Sequence, residues 1–278
     1  MDERAVLQAL RSYRLERRLR RAQGALGAEL GNRAGSSLEF HDYRAYQPGD
    51  DPRRIDWAVY GRSEELTVRL FREEIHPRLD IVLDGSRSMA LADGRKPALA
   101  LELCAFAWHS ARLQGSAVRV HVAGERLHSS EQPPSAAPRD GRSLLFDAPG
   151  SCARALRGGG LRIVISDFMT ESSVHAAIRE LSAGAAQLVV LRTLGPWEAS
   201  PDIAGALELL DVETGDQLAA QLAAQSVARY RSRLARLSES LRASCRATGA
   251  RFADVICDVP LLDALRRDLL PAGVVAPS

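Results

Sequence analysis

The sequence predicts an α/β fold, a parallel-dominated sheet with helices on both faces. Three observations carry this. Short apolar runs such as Ile81-Val82-Leu83, Ile163-Val164-Ile165 and Leu188-Val189-Val190-Leu191 lack polar alternation and read as strands buried on both faces. Stretches with helical periodicity separate them, the pattern of crossover units. Two of the strands end in oxygen-rich loops, Asp84-Gly85-Ser86-Arg87-Ser88 and Ser166-Asp167. In open α/β sheets the carboxyl ends of strands form the crevice where ligands bind.

From the N-terminus, a basic amphipathic helix is expected over 1–22. Arg11, Arg14, Arg17, Arg18, Arg20 and Arg21 share it with Leu7, Leu10, Leu15 and Leu19. Such a helix can lie on an anionic membrane or on a partner. Glu3 and Glu16 dilute its charge, which favours a solvated helix whose apolar stripe docks on its own domain and leaves peripheral membrane contact as the alternative. Gly24, Gly27, Gly31 and Gly35 then loosen the chain into loop. A polar, aromatic block follows over 39–57, with a turn at Pro48-Gly49. Residues 66–72 alternate apolar and polar as a half-exposed strand, and His76-Pro77 ends it. The region 23–76 is thus separate in kind from the α/β domain over 77–278.

Within that domain, Pro97 suits the first turn of a helix whose Leu99, Leu103, Phe106 and Leu113 share a face. Residues 118–122 make a strand, and the proline-rich stretch 129–141 a loop. A helix is expected from about 173 to 181. The runs 207–212 and 217–221 flank Thr214-Gly215-Asp216 as a hairpin. A long helix carrying Leu234, Leu237 and Leu241 stops at Gly249, followed by a strand over 252–257 and a last helix over 261–270.

With 278 residues the chain can bury one large core plus a small appended region. A formal net charge of +2, with basic and acidic residues interleaved, argues against nucleic acid as a partner. Cys104, Cys152, Cys245 and Cys257 show no C-x-x-C spacing and read as buried reduced thiols. No apolar run approaches the ~20 residues of a membrane span, and Met1-Asp2-Glu3-Arg4 opens no secretory signal, so a cytoplasmic setting is expected.

One carboxylate and two hydroxyls on the loop after the Asp84 strand, with Asp167 at the same end of the sheet, form an all-oxygen donor set. It suits a hard cation, Mg²⁺ or Mn²⁺, rather than zinc or copper. The plainer alternative is a strand-end turn in which Asp84 accepts backbone N–H bonds, the serines cap the next segment and Asp167 caps a helix. His109 and His121 lie on regular elements and read as packed or surface groups, and Cys104 as core.

The Asp84-x-Ser86-x-Ser88 loop with Asp167 resembles the metal-ion-dependent adhesion site of von Willebrand factor A domains. The block before it is more specific. Glu39-Phe40, then Arg44-x-Tyr46-x-Pro48-Gly49-Asp50-Asp51-x-Arg53-x-Ile55-Asp56-Trp57, then Val68-Arg69-x-Phe71-x-Glu73-Glu74, resembles the signature of the domain of unknown function 58 family. The Asp84 loop follows at that family's spacing, and the tail over 230–269 is also similar. The resemblance implies a cytoplasmic, Rossmann-like von Willebrand A domain, often encoded beside a MoxR-type AAA+ ATPase, with chaperone-like work on client proteins. It further implies one divalent cation held by Ser86, Ser88 and a hydroxyl from a third loop, with Asp84 and Asp167 bonded to its waters. A partner carboxylate would complete the shell. The third hydroxyl is ordinarily a Thr; here Ser143 stands closest in position and Ser151 is the rival, while Pro149 interrupts the helix expected after that loop.

For Arg44, Asp50, Arg53, Asp56 and Trp57 the self-complementary charges and aromatics favour a buried, salt-bridged plug over a partner surface. An enzyme reading also exists. Mg²⁺-dependent phosphotransferases use a strand-end Asp as nucleophile. They generally need a second carboxylate two residues on, where this chain has Ser86, and a lysine clamp, for which no later Lys stands out. No G-x-S-x-G, H-E-x-x-H, Walker A or G-x-G-x-x-G motif is present. The expectation is therefore a non-enzymatic, metal-dependent binding module.

Overall fold

The computed structural model describes residues 1–16, 38–73, 77–91, 93–137, 142–201, 205–210, 217–222 and 224–278. In chain order its elements are α1 (Glu3–Ser12), β1 (Tyr13–Leu15), β2 (Leu38–Ala45), α2 (Trp57–Ser63), β3 (Thr67–Glu73), β4 (Arg78–Asp84), α3 (Lys96–Leu113), β5 (Ala117–Ala123) and β6 (Leu127–Ser130). Then come α4 (Leu144–Asp147), α5 (Pro149–Ala155), β7 (Leu161–Ser166), α6 (Val174–Ser182), β8 (Gln187–Leu194), α7 (Pro196–Ala199), β9 (Gly205–Leu210) and β10 (Gln217–Leu222). The last are α8 (Ala224–Thr248), β11 (Arg251–Ile256), α9 (Leu261–Ala264) and β12 (Val275–Pro277). They divide into two compact units, Met1–Arg21 with Pro77–Ser278, and Ala22–His76.

The larger unit is built on a six-stranded sheet of order β11-β8-β7-β4-β5-β6. All neighbours are parallel except β6, which returns antiparallel along β5 and runs two residues into the stretch 129–141 expected to be loop. Strand β4 lies between β5 and β7, so its apolar residues are covered on both faces, as an unbroken Ile-Val-Leu run requires. Leu79, Ile81 and Leu83 pack with Leu103 and Phe106 of α3, whereas Val82 joins Val164, Ile178 of α6 and Leu241 of α8 on the other face. The helix after β4 therefore lies on one face and the helix after the adjacent β7 on the other. That reversal opens a crevice at the carboxyl ends of β4 and β7, where α/β sheets bind ligands.

Two sequence expectations are corrected here. The N-terminal helix ends at Ser12, because Tyr13–Leu15 pair antiparallel with Val275–Pro277. Arg14 is thus on a strand, and residues 17–22 lie outside the described residues. Val6 and Ala9 of α1 are buried in the same core as α3, while Leu7 of the expected apolar stripe is 58% exposed. At the end of α3, Leu113 is 77% exposed rather than on the buried face. The hairpin between β9 and β10 is present, though its turn residues lie outside the described residues. No described helix is long and apolar enough to cross a membrane. All four cysteines are free and buried, and burial pushes the thiols of Cys104, Cys245 and Cys257 up to about 12.

In the smaller unit, β2 and β3 pair antiparallel. Arg44 and Asp50 form a two-pronged ion pair, at 2.8 and 2.6 Å. Asp56 is buried, caps α2 through the Ala58 and Val59 amides, and accepts the Tyr43 hydroxyl. The rest of the expected buried plug is corrected. Trp57 is 61% exposed, and Arg53 reaches only neighbouring Asp51, at 3.5 Å. Trp57 opens a short helix and turns outward, where its ring meets Tyr60 edge-on.

Candidate metal centre

Asp84 is the last residue of β4 and has no exposed surface. One of its oxygens accepts the Ser86 amide at 3.0 Å, the other the Ser166 hydroxyl at 2.6 Å. Ser166 ends β7 and also receives the Phe168 amide, so one hydroxyl ties the two loops together. Gly85 is required by close approach, since a Cβ there would stand 2.7 Å from the Gly124 amide nitrogen. The Ser86 and Ser88 hydroxyls lie 3.0 Å apart.

Asp167 follows directly, also buried, with one oxygen accepting the Met169 amide at 2.9 Å. Between these residues, Phe168 holds a left-handed backbone (φ +55°) that a bulky side chain adopts only under constraint. Its buried ring packs edge-on against Phe146 of α4, 5.6 Å away, joining the Asp167 loop to the Ser143 loop. Ser143 stands at the N-cap position of α4; its buried hydroxyl reaches the Ala123 carbonyl at 2.9 Å and also hydrogen-bonds the Asp84 carboxylate, which places it at the same centre. Pro149 does break the helix after this loop, by starting α5 at its own position. Ser151, the rival hydroxyl, is exposed on α5 and accepts from Arg154.

Ser86, Ser88, Ser143 and Asp167 line one cavity of about 120 Å³, with Arg142, Phe146, Asp147, Met169 and Thr170. Four of the five expected site residues thus share a cavity, and Asp84 is bonded into its floor through Ser86. The donor set fits a hard cation. The Ser86 and Ser88 hydroxyls are hydrogen-bonded to each other, and that separation is also the one that adjacent oxygens on an octahedral Mg²⁺ keep, about 3 Å. Burial and the charge of Asp167 push Asp84 up to about 6, and no lysine or arginine pairs with it among the described residues. Nor does any group of three His, Cys, Asp or Glu side chains with metal-holding geometry occur among them. A cation here would therefore have to rest on the serine hydroxyls, hard oxygen donors of the kind that Mg²⁺ takes.

Sequence reasoning missed Lys96. Its ammonium is fully buried and donates to Asp167 at 2.8 Å and to Glu198 at 2.7 Å. The signal was available, because Lys96 is the only lysine in the chain; the other 36 of its 37 basic residues are arginine. Glu198 was missed too, for it sits on the short α7 beyond β8, with no motif to mark it.

The fold and the site together define a doubly wound, Rossmann-like α/β domain with an oxygen-lined pocket at its switch point. A family model described as "Protein of unknown function DUF58" matches residues 42–242. The chain belongs to that family. It is 29% identical over 235 residues to the uncharacterised proteins Rv1480 of Mycobacterium tuberculosis and Mb1516 of Mycobacterium bovis, covering 77% of this chain and 73% of each relative. Among solved structures, a conserved hypothetical protein BatB from Bacteroides thetaiotaomicron aligns with a TM-score of 0.32 at 17% identity, over 61% of this chain and 99% of that one. An aerotolerance-related membrane protein from Bacteroides fragilis aligns with 0.33, also at 17% identity, over 60% and 99%. Likenesses that distant do not bear on function.

Proposed function

We propose that this protein is a non-enzymatic, metal-dependent protein-binding module. The observation that carries the reading is the hydrogen-bonded pair of Ser86 and Ser88 hydroxyls beside two buried, mutually repelling carboxylates, one of which pairs with no lysine or arginine among the described residues. The hydroxyls of Ser86, Ser88 and Ser143 would hold Mg²⁺ or Mn²⁺ directly, with Asp84 and Asp167 bonded to its waters. A cation so bound supplies an open coordination position for a carboxylate oxygen. The chain's own residues do the rest. Ser166, Ser143 and the Ser86 amide orient Asp84, and the Phe146–Phe168 contact fixes the loops.

The partner offering the carboxylate is, by family resemblance, a MoxR-type AAA+ ATPase in the cytoplasm, acting on a client protein. Co-purification with that ATPase tests the reading. The complex should be lost in EDTA, restored by Mg²⁺, and weakened by Asp84→Ala or Ser86→Ala. A complex indifferent to chelator and to both substitutions would sink it.

The phosphotransferase reading gains one feature, because Lys96 does bring a lysine to the site. Both Lys96 and Asp84 have no exposed surface, however, so neither reaches a phosphate ester. A nucleophile needs an approach to the reacting atom, and that disfavours catalysis through Asp84.

A further inference from the structure

We propose that Lys96, paired with Glu198, is the residue that sets the charge of the metal centre and so selects a divalent cation; this rests on the metal reading above. Lys96 lies in the first turn of α3, where a cation opposes the helix macrodipole. Its placement there must be explained by what it touches, and it touches two buried carboxylates and no solvent.

The bracket holding it is rigid. Glu198 spends its other oxygen on the Gly195 amide at 2.8 Å, and its backbone carbonyl accepts the Tyr230 hydroxyl at 2.6 Å. Asp93 accepts the Trp197 and Glu198 amides. A Cβ on Gly195 would stand 1.9 Å from Asp93, so only glycine lets this turn close. One ammonium is therefore shared by a carboxylate of the site and one outside it.

The charge count follows. Among the buried groups Asp84, Asp167 and Glu198 bring three negative charges and Lys96 one positive, leaving two uncompensated, while the exposed Arg142 and Asp147 of the cavity lining offset each other. In the chain without its partner a divalent cation closes that balance; a monovalent one leaves charge buried, and a trivalent one overshoots. An arginine would bring the same charge but a planar fork of five donors, where the enclosed space offers two acceptor oxygens. A compact ammonium is needed, and this position alone in the chain has one.

The test is a charge series at pH 7.5 on the full chain, following Mn²⁺ by thermal shift and Tb³⁺ by sensitised luminescence and competition. Lys96→Met should raise the preference for Tb³⁺ over Mn²⁺ on the order of tenfold, because removing a nearby positive charge favours the higher valence more. Glu198→Gln should shift the preference the opposite way, and the double variant should return it near the wild-type ratio. If Lys96→Met does not fold, Glu198→Gln and the double variant still decide. Mn²⁺ binding with an unchanged ratio across the series would overturn the role of Lys96 and leave the metal centre standing. Should wild type bind neither ion, the metal reading falls and takes this inference with it.

Discussion

A carboxylate without exposed surface, beside a second carboxylate, is held at a disadvantage that only a proton or a cation relieves. Asp84 is in that position, and its raised value of about 6 compares with about 3.9 for an unperturbed Asp. Without divalent cation, its protonated form is the one the fold prefers. Its contribution should be fully present below pH ~4 and be lost as pH rises through about 6, an effect on the order of 3 kcal/mol. The difference in stability between wild type and Asp84→Asn, measured by denaturant titration in EDTA across pH 4–8, should show that fall. A difference independent of pH would contradict the assignment. At this scale the sequence was readable where oxygen donors stood in a motif, and silent where they were brought in by the fold. Asp84, Ser86, Ser88 and Asp167 stand on strand-end loops; Lys96 meets Asp167 and Glu198 across 71 and 102 residues, distances no local pattern spans.

Among the elements, the strands buried on both faces were legible because an unbroken apolar run has few other uses. The short pieces were not. β1 and β12 exist only because they pair with each other across almost the whole chain, and α7 is a single turn held by Asp93. In the smaller unit, residue type was a poor guide to burial, since Trp57 faces outward while Asp56 beside it is buried. Asp56→Ala should therefore cost about 1–2 kcal/mol of unit stability by removing the α2 cap and the acceptor of Tyr43. Trp57→Ala should cost less than about 1 kcal/mol, as an exposed side chain leaves no core cavity. Thermal melts of the two variants check this, and a larger loss from Trp57→Ala would reverse the assignment.

For the molecule as a whole, the α/β class followed from the alternation of elements, and the position of the pocket followed from the class. The crevice lies where α3 and α6 leave adjacent strands toward opposite faces, and it holds the oxygen donors that the motif supplies. The family gives this arrangement no established activity, so the account stands or falls on whether the centre takes a cation. The most direct measurement is the melting temperature of the purified chain in EDTA and in millimolar Mn²⁺, for wild type and Asp84→Ala. A ligand bound only by the folded state stabilises by about 2.7 kcal/mol at a hundred times its Kd. A rise of several degrees in wild type, absent in Asp84→Ala, is the expected result. Equal curves with and without Mn²⁺ in the wild-type protein would contradict it.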